Sequence, residues 1–175
     1  PNFIPMKSMP GIFQNLNVLP KAWIVGNVKS VETQQESLME TLLNGFDPSN
    51  TAIIYKYEGE PLDGISSGQV DVISRKENKL EMKSLSETGG LLVLSEIYYN
   101  PGWKAFVNGE ETPIYQTNHI LRSVLVPIGE SEIIFKYDDE PWHKTRLLSR
   151  VSILVVLFGV GLLFWKEKSK TQTPE

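Results

Sequence analysis

The sequence predicts a mainly β protein: an antiparallel β-sandwich or jelly-roll-like domain with a small α/β segment on its N-terminal side and a transmembrane helix near its C-terminal side. Three observations carry this expectation. Short apolar or alternating runs recur between Gly, Pro and Asn turn signals from Gln69 to Tyr137, the spacing of an all-β sandwich. One stretch, "ETQQESLMETLLNGF", spaces its leucines as a helix does. Val151 to Trp165 holds nothing more polar than Ser152, a composition suited to lipid.

In chain order, residues 1–20 contain four prolines and little periodicity, so they are expected to be an irregular lead-in. Residues 21–57 read as strand, helix, strand. "KAWIVGNVKSV" gives the first strand, and "TAIIYKY" gives the second. Between them a helix is expected over Glu32 to Asn44, with Leu38, Leu42 and Leu43 on one face and Gly45 as C-cap. Residues 58–68, rich in Gly, Pro and Ser, form a loop and the expected subdomain boundary.

Residues 69–140 carry the sandwich. "QVDVIS" and "KLEMKS" flank a turn at Glu77-Asn78, with Val70, Val72, Leu80 and Met82 expected inside. "GLLVLSEIYY" is apolar on both parities and suits a central strand. "WKAFVNG" and "ETPIYQT" flank Asn108-Gly109, a two-residue hairpin signal. "ILRSVLVP" and "SEIIFKY" are expected to form another tight hairpin across Pro127-Ile128-Gly129-Glu130.

The remaining segments are a juxtamembrane linker at 141–146, a membrane helix at 147–165 and a tail at 166–175. Nineteen residues rising about 1.5 Å each come close to the roughly 30 Å hydrocarbon core. Arg150 can snorkel to one interface, while Trp165 and then Lys166, Lys168 and Lys170 anchor the other. His143, Lys144, Arg146 and Arg150 balance those lysines, so charge bias casts no vote on orientation.

Composition excludes several chemistries. The 175 residues have a net charge of -4 with acids and bases interspersed, which argues against a nucleic-acid partner. No cysteine is present, so disulfides, thiol catalysis and cysteine-ligated zinc are out. His119 and His143 lack metal-ligand spacing, and no metal or cofactor is expected. The acid pairs Glu110-Glu111 and Asp138-Asp139 are adjacent, which does not set the separation that glycoside hydrolysis needs. "GISSG" at Gly64 to Gly68 lacks the strand and helix of a nucleophile elbow. No catalytic residue is expected in this chain.

The stretch "YYNPGWKAFVNGEETPI" supplies the candidate ligand residues. Trp103, Ala105 and Val107 share one strand face, which makes Trp103 a core corner against inward-facing Val93, Phe135 and Tyr137. Alternatively, Tyr98, Tyr99 and Trp103 form an apolar platform on which a sugar ring can stack. Arg122 lies on a face with Ile120, Val124 and Val126; it forms a salt bridge or backbone clamp at the sheet rim, or contacts a lipid-linked phosphate. Asn118 accompanies it in the same stretch.

"FQNLNVLPKAWIV", followed by "LVLSEIYYNPGWKAFVNGEETPIYQTNHILRSVLVPIGESEIIFKYD" and a hydrophobic helix, resembles the C-terminal end of the YfhO-type bacterial membrane proteins. The matching features are Asn15 before Leu19-Pro20-Lys21-Ala22, the Tyr-Tyr-x-Pro-Gly-Trp-Lys run, Asn108-Gly109, Asn118, Arg122, Pro127-x-Gly129 and Phe135-x-Tyr137. Lys21 stands where the resemblance leads one to expect arginine, a departure from the pattern. Such proteins are similar to integral-membrane glycosyltransferases that use polyprenyl-phosphate-linked sugars. The resemblance implies that residues 1–146 are extracytoplasmic, that the tail is cytoplasmic, and that the catalytic acid lies in a part of the parent protein outside this chain. It implies a non-catalytic accessory or acceptor-binding module in the cell membrane. Its partners would be the bilayer, a glycan or polyprenyl-phosphate sugar, and the rest of the parent protein. The other expectation is a tail-anchored β-sandwich that binds a protein and has no part in sugar transfer.

Overall fold

The computed structural model describes residues 3–43, 45–62, 64, 68–99, 101–138 and 140–170. It divides the chain into two units, Pro1–Tyr137 and Asp138–Glu175. The first unit is a sandwich-like β domain. In order, its elements are β1 (Phe3–Pro5), β2 (Phe13–Asn15), β3 (Ala22–Val25), β4 (Asn27–Val31), α1 (Gln34–Leu42), β5 (Thr51–Tyr55), β6 (Gly68–Lys76), β7 (Lys79–Ser86), β8 (Gly90–Ile97), β9 (Trp103–Val107), β10 (Glu110–Thr112), β11 (Tyr115–Thr117), β12 (Leu121–Val126) and β13 (Gly129–Tyr137).

Two sheets form the body, in the orders β10-β9-β13-β7-β6 and β3-β8-β12-β11-β5-β4, and β1-β2 is a separate antiparallel pair. Between the two sheets lie Ile24, Leu80, Met82, Leu92, Leu94, Ala105, Val124, Ile133 and Phe135. The outer face of the six-stranded sheet carries a second apolar layer of Val25, Ala52, Ile54, Leu91 and Val93, against which Tyr57 and Leu62 of the following loop pack. Strand β8 is buried on both parities because it sits between β3 and β12 with an apolar layer on each side. That explains its unbroken apolar sequence. Val93 therefore belongs to the outer layer and not, as the sequence suggested, to the layer that holds Phe135.

Several expectations are corrected. Residues 1–20 are not wholly irregular, since Phe3–Pro5 pairs with Phe13–Asn15. The prolines that hide this hairpin sit at a strand end and in the tip, where missing N–H groups do no harm. Residues 21–57 are not a segment apart: β3, β4 and β5 are strands of the six-stranded sheet, with α1 crossing over between the parallel pair β4 and β5. The single strand expected over "KAWIVGNVKSV" divides at Gly26.

α1 is shorter than expected. Thr33 caps its N-terminus, accepting from the N–H of Glu36 at 3.1 Å while Glu36 accepts from the N–H of Thr33 at 3.2 Å. The C-cap is Leu43, not Gly45. Ser37 is the buried residue, whereas Leu38, Leu42 and Leu43 are exposed. Lys29 of β4 pairs with Glu40 at 2.6 Å. α1 therefore turns the small Ser37, not its leucines, inward, against its apolar pattern.

The β6–β7 turn at Glu77-Asn78 is as expected, but Val72, paired with buried Met82 on the edge strand β6, is exposed, and a bulge between Val72 and Ser74 interrupts the strand's alternation. Asn108 and Gly109 both have positive φ, 53° and 85°, as a two-residue turn between right-twisted strands requires. Pro127-Ile128 does not close a hairpin. β12 pairs with β8 and β11, while β13 pairs with β7 and β9, so the chain crosses between sheets there. The β7–β8 connection crosses beside it, and a Cβ on Gly89 would lie 3.2 Å from the Val126 carbonyl oxygen. "ETPIYQT" also divides, β10 staying with β9 while β11 joins the other sheet.

The second unit contains α2 (Glu140–Lys170), which absorbs the linker expected at 141–146. Its Lys144–Leu163 stretch is long and apolar enough to cross a membrane. Its 20 residues rise about 30 Å, the thickness of the hydrocarbon core.

Candidate functional site

Glu96, near the end of β8, organises the only part of the sandwich that joins buried charge to aromatic rings among the described residues. Leu92, Leu94 and Glu96 share a strand parity, as do Arg122, Val124 and Val126 on the neighbouring strand. Both charged residues thus point into the gap between the sheets where the apolar layer ends. Arg122 Nη2 donates to Glu96 Oε2. Lys21 Nζ lies 3.1 Å from Glu96 Oε1 and also donates to the Ser95 carbonyl at 2.7 Å. Arg75, from the five-stranded sheet, approaches the same Oε1 at 3.4 Å. One carboxylate therefore bridges both sheets and meets three cations.

Arg122 is held unusually deeply, its side chain only 3% exposed. Its guanidinium carbon stands 4.3 Å from the centroid of the Trp103 ring and 5.2 Å from that of Phe135. Aromatic faces compensate a guanidinium that has lost water, which suits the buried Nε and Nη1 that have no protein acceptor. Burial lowers the Arg122 pKa, against the opposing pull of Glu96. For Glu96, burial pushes the pKa up, but the Lys21 hydrogen bond and the charges of Arg122 and Lys21 outweigh it and hold the carboxyl below its usual range.

The sequence-derived candidates divide accordingly. Trp103 and Arg122 are brought together, and Trp103 is half-buried, with Tyr137 edge-on to its ring at 5.7 Å. Arg122 meets a carboxylate at the sheet rim, the first of its two expected roles. Tyr98 is half-buried, and burial raises its pKa. Tyr99 is exposed, and neither tyrosine is among the ring contacts of Trp103. Asn118 has a backbone role: at φ 47° it donates its N–H to the Ile53 carbonyl at 2.7 Å, and its Oδ1 accepts from the Ile53 N–H at 2.9 Å. Lys21, Arg75, Glu96 and Tyr137 complete the cluster. Glu96 was detectable as a charge on an otherwise buried parity of β8, whereas Arg75 had no local signal because it reaches the site from the other sheet.

Beside the cluster, Arg75, Lys76, Glu77, Leu80, Glu96 and Trp103 line an open cleft of about 350 Å³. Arg122 covers one face of Trp103, which leaves the cleft an aromatic wall, the exposed cations Arg75 and Lys76, and the carboxylates Glu77 and Glu96. A larger trough of about 620 Å³, lined by residues such as Asp71, Lys83, Asn108 and Glu132, has no aromatic residue in its lining. No group of three or more metal-ligating side chains occurs among the described residues. The His143 side chain, Asp139 and residues 65–67 of "GISSG" lie outside the described residues. Compared with family models, curated proteins and solved structures, the chain matches none.

Proposed function

We propose that this chain is the C-terminal sandwich and last membrane helix of a YfhO-like membrane glycosyltransferase, acting as a non-catalytic, extracytoplasmic accessory module that receives a glycan or polyprenyl-phosphate-linked sugar. The observation that carries the reading is the cleft in which Trp103 stands beside Arg75 and Lys76. An aromatic wall suits the apolar face of a sugar ring, and exposed cations suit the phosphate. The apolar stretch of α2 supports membrane attachment. The convergence of Lys21, Arg75 and Arg122 on Glu96 supports an accessory role, because a carboxylate held ionised by cations is a poor general acid.

The test is equilibrium binding of a short-chain polyprenyl-phosphate sugar to the full chain in lipid nanodiscs. Saturable binding that weakens in Arg75→Glu and Lys76→Glu, without sugar turnover, is the expected result. Binding indifferent to both substitutions, or turnover abolished by a substitution within residues 1–137, overturns the proposal.

A second reading, a tail-anchored protein-interaction module with no role in sugar transfer, has one observation in its favour. Leu38, Met39 and Leu42 of α1 and its C-cap Leu43 are all exposed, as a partner-binding helix face would be.

A further inference from the structure

The β1–β2 hairpin is poorly supported by the rest of the sandwich. It pairs with neither large sheet, and an isolated two-stranded hairpin is marginal in water. Its apolar side chains nevertheless face outward: Ile4 is 45% exposed, Met9 and Ile12 47% each, and Phe13 61%. Leu16 and Val18 continue the exposed apolar run beyond β2. Something other than the sandwich must cover these groups to justify them.

We infer that the hairpin tip, Met6 to Phe13, is a membrane-surface contact that buries Met9, Ile12 and Phe13 among lipid headgroups and the first acyl carbons. Three observations select lipid as the occupant. α2 contains a stretch able to cross a membrane, so a tethered sandwich meets the bilayer surface at high effective concentration. Residues 1–31 contain no Asp or Glu in a chain of net charge -4, and Lys7, exposed at the tip, is the sole charged side chain of residues 1–20. That charge pattern complements an anionic headgroup layer.

The third observation is that part of the tip backbone is bonded within the tip. Met6 N–H donates to the Ile12 carbonyl at 2.9 Å, and the Met9 and Ile12 N–H groups donate to Met6 and Met9 carbonyls at 3.2 Å. Pro5 and Pro10 have no N–H to desolvate. The open strand edges still need water, so the contact is limited to the interface and cannot reach the hydrocarbon centre.

The absence of native cysteine makes the test direct. The full chain carrying Ile12→Cys is labelled with an environment-sensitive fluorophore and reconstituted into phosphatidylcholine vesicles with or without phosphatidylglycerol, with incorporation checked by flotation. Glu110→Cys, exposed at the start of β10, carries the same dye as a control for dye-driven insertion. The expected result is several-fold stronger quenching by nitroxide-labelled lipid at position 12 than at 110, increased by phosphatidylglycerol and reduced again by Lys7→Glu. Equal, weak quenching at both positions overturns the inference. So does blue-shifted emission at position 12 without lipid quenching, which would mean that protein covers the hairpin. Quenching indifferent to phosphatidylglycerol and to Lys7→Glu refutes the role given to the headgroup charge.

Discussion

Replacing Glu96 by glutamine removes the one carboxylate shared by Lys21, Arg75 and Arg122 while preserving its shape. Arg122, with its side chain 3% exposed, then remains a buried cation without an anion, and a guanidinium cannot escape by releasing its proton. Removing one partner of a buried pair costs about 3–5 kcal/mol. Contacts to Trp103 and Phe135 retain part of that, on the order of 1–2 kcal/mol, and the glutamine oxygen can still accept a hydrogen bond. The expected cost is therefore about 1–4 kcal/mol, or a fall of roughly 3–15 °C in Tm for a domain of this size. Arg75 is 67% exposed on its side chain, so Arg75→Gln should cost about 0–1 kcal/mol. Urea and thermal unfolding of the full chain in detergent, followed by far-ultraviolet circular dichroism, measures both. Adding Arg122→Met to Glu96→Gln should recover most of the loss, since an apolar side chain needs no anion. Glu96→Gln costing no more than Arg75→Gln would refute the buried-pair argument.

Other outcomes follow from the same geometry. The Glu96 pKa is depressed in the folded state, so its contribution to stability is present above the ordinary carboxylate pKa and is lost as pH falls through the lower folded value. Acid unfolding curves should accordingly lose part of their pH dependence in Glu96→Gln. Trp103→Ala should cost about 2–3 kcal/mol, below the usual 3–5 for a fully buried aromatic because Trp103 is half-buried, and a melting temperature unchanged by it would contradict the packing with Tyr137. Asn118→Ala should cost about 1–3 kcal/mol by leaving the Ile53 N–H without its acceptor, and should leave sugar binding intact; loss of binding at unchanged stability would give Asn118 a ligand role instead.

The sequence predicted the strands better than their partners. Alternation and turn chemistry placed β6, β7 and β9, and an unbroken apolar run placed β8, because such burial patterns and Asn-Gly turns act locally. The same local signals could not distinguish a hairpin from a crossing between sheets. Pro127-Ile128 and the break at Pro113 resemble turns in sequence, yet each moves the chain to the other layer. α1 misled for a related reason: its leucines set a pattern, but the small Ser37 is the residue buried and the leucines are exposed. Arg122 and Trp103 could be selected as residue types that grip ligands or fill corners. Their stacking required the register in which Trp103 opposes Tyr137 on β13 while Arg122 lies on β12 of the facing sheet.

The accessory-module account depends most on which side of the membrane the sandwich occupies, because a lipid-linked sugar handed over outside the cytoplasm cannot be met from within it. In a chain without native cysteine, Glu110→Cys on the sandwich and Ser169→Cys beyond the apolar stretch of α2 can each be labelled in intact cells with a membrane-impermeant maleimide. The account predicts labelling at 110 in intact cells and at 169 only after permeabilisation. The reverse pattern would place the sandwich in the cytoplasm and contradict the proposed function, leaving the protein-interaction reading in its place.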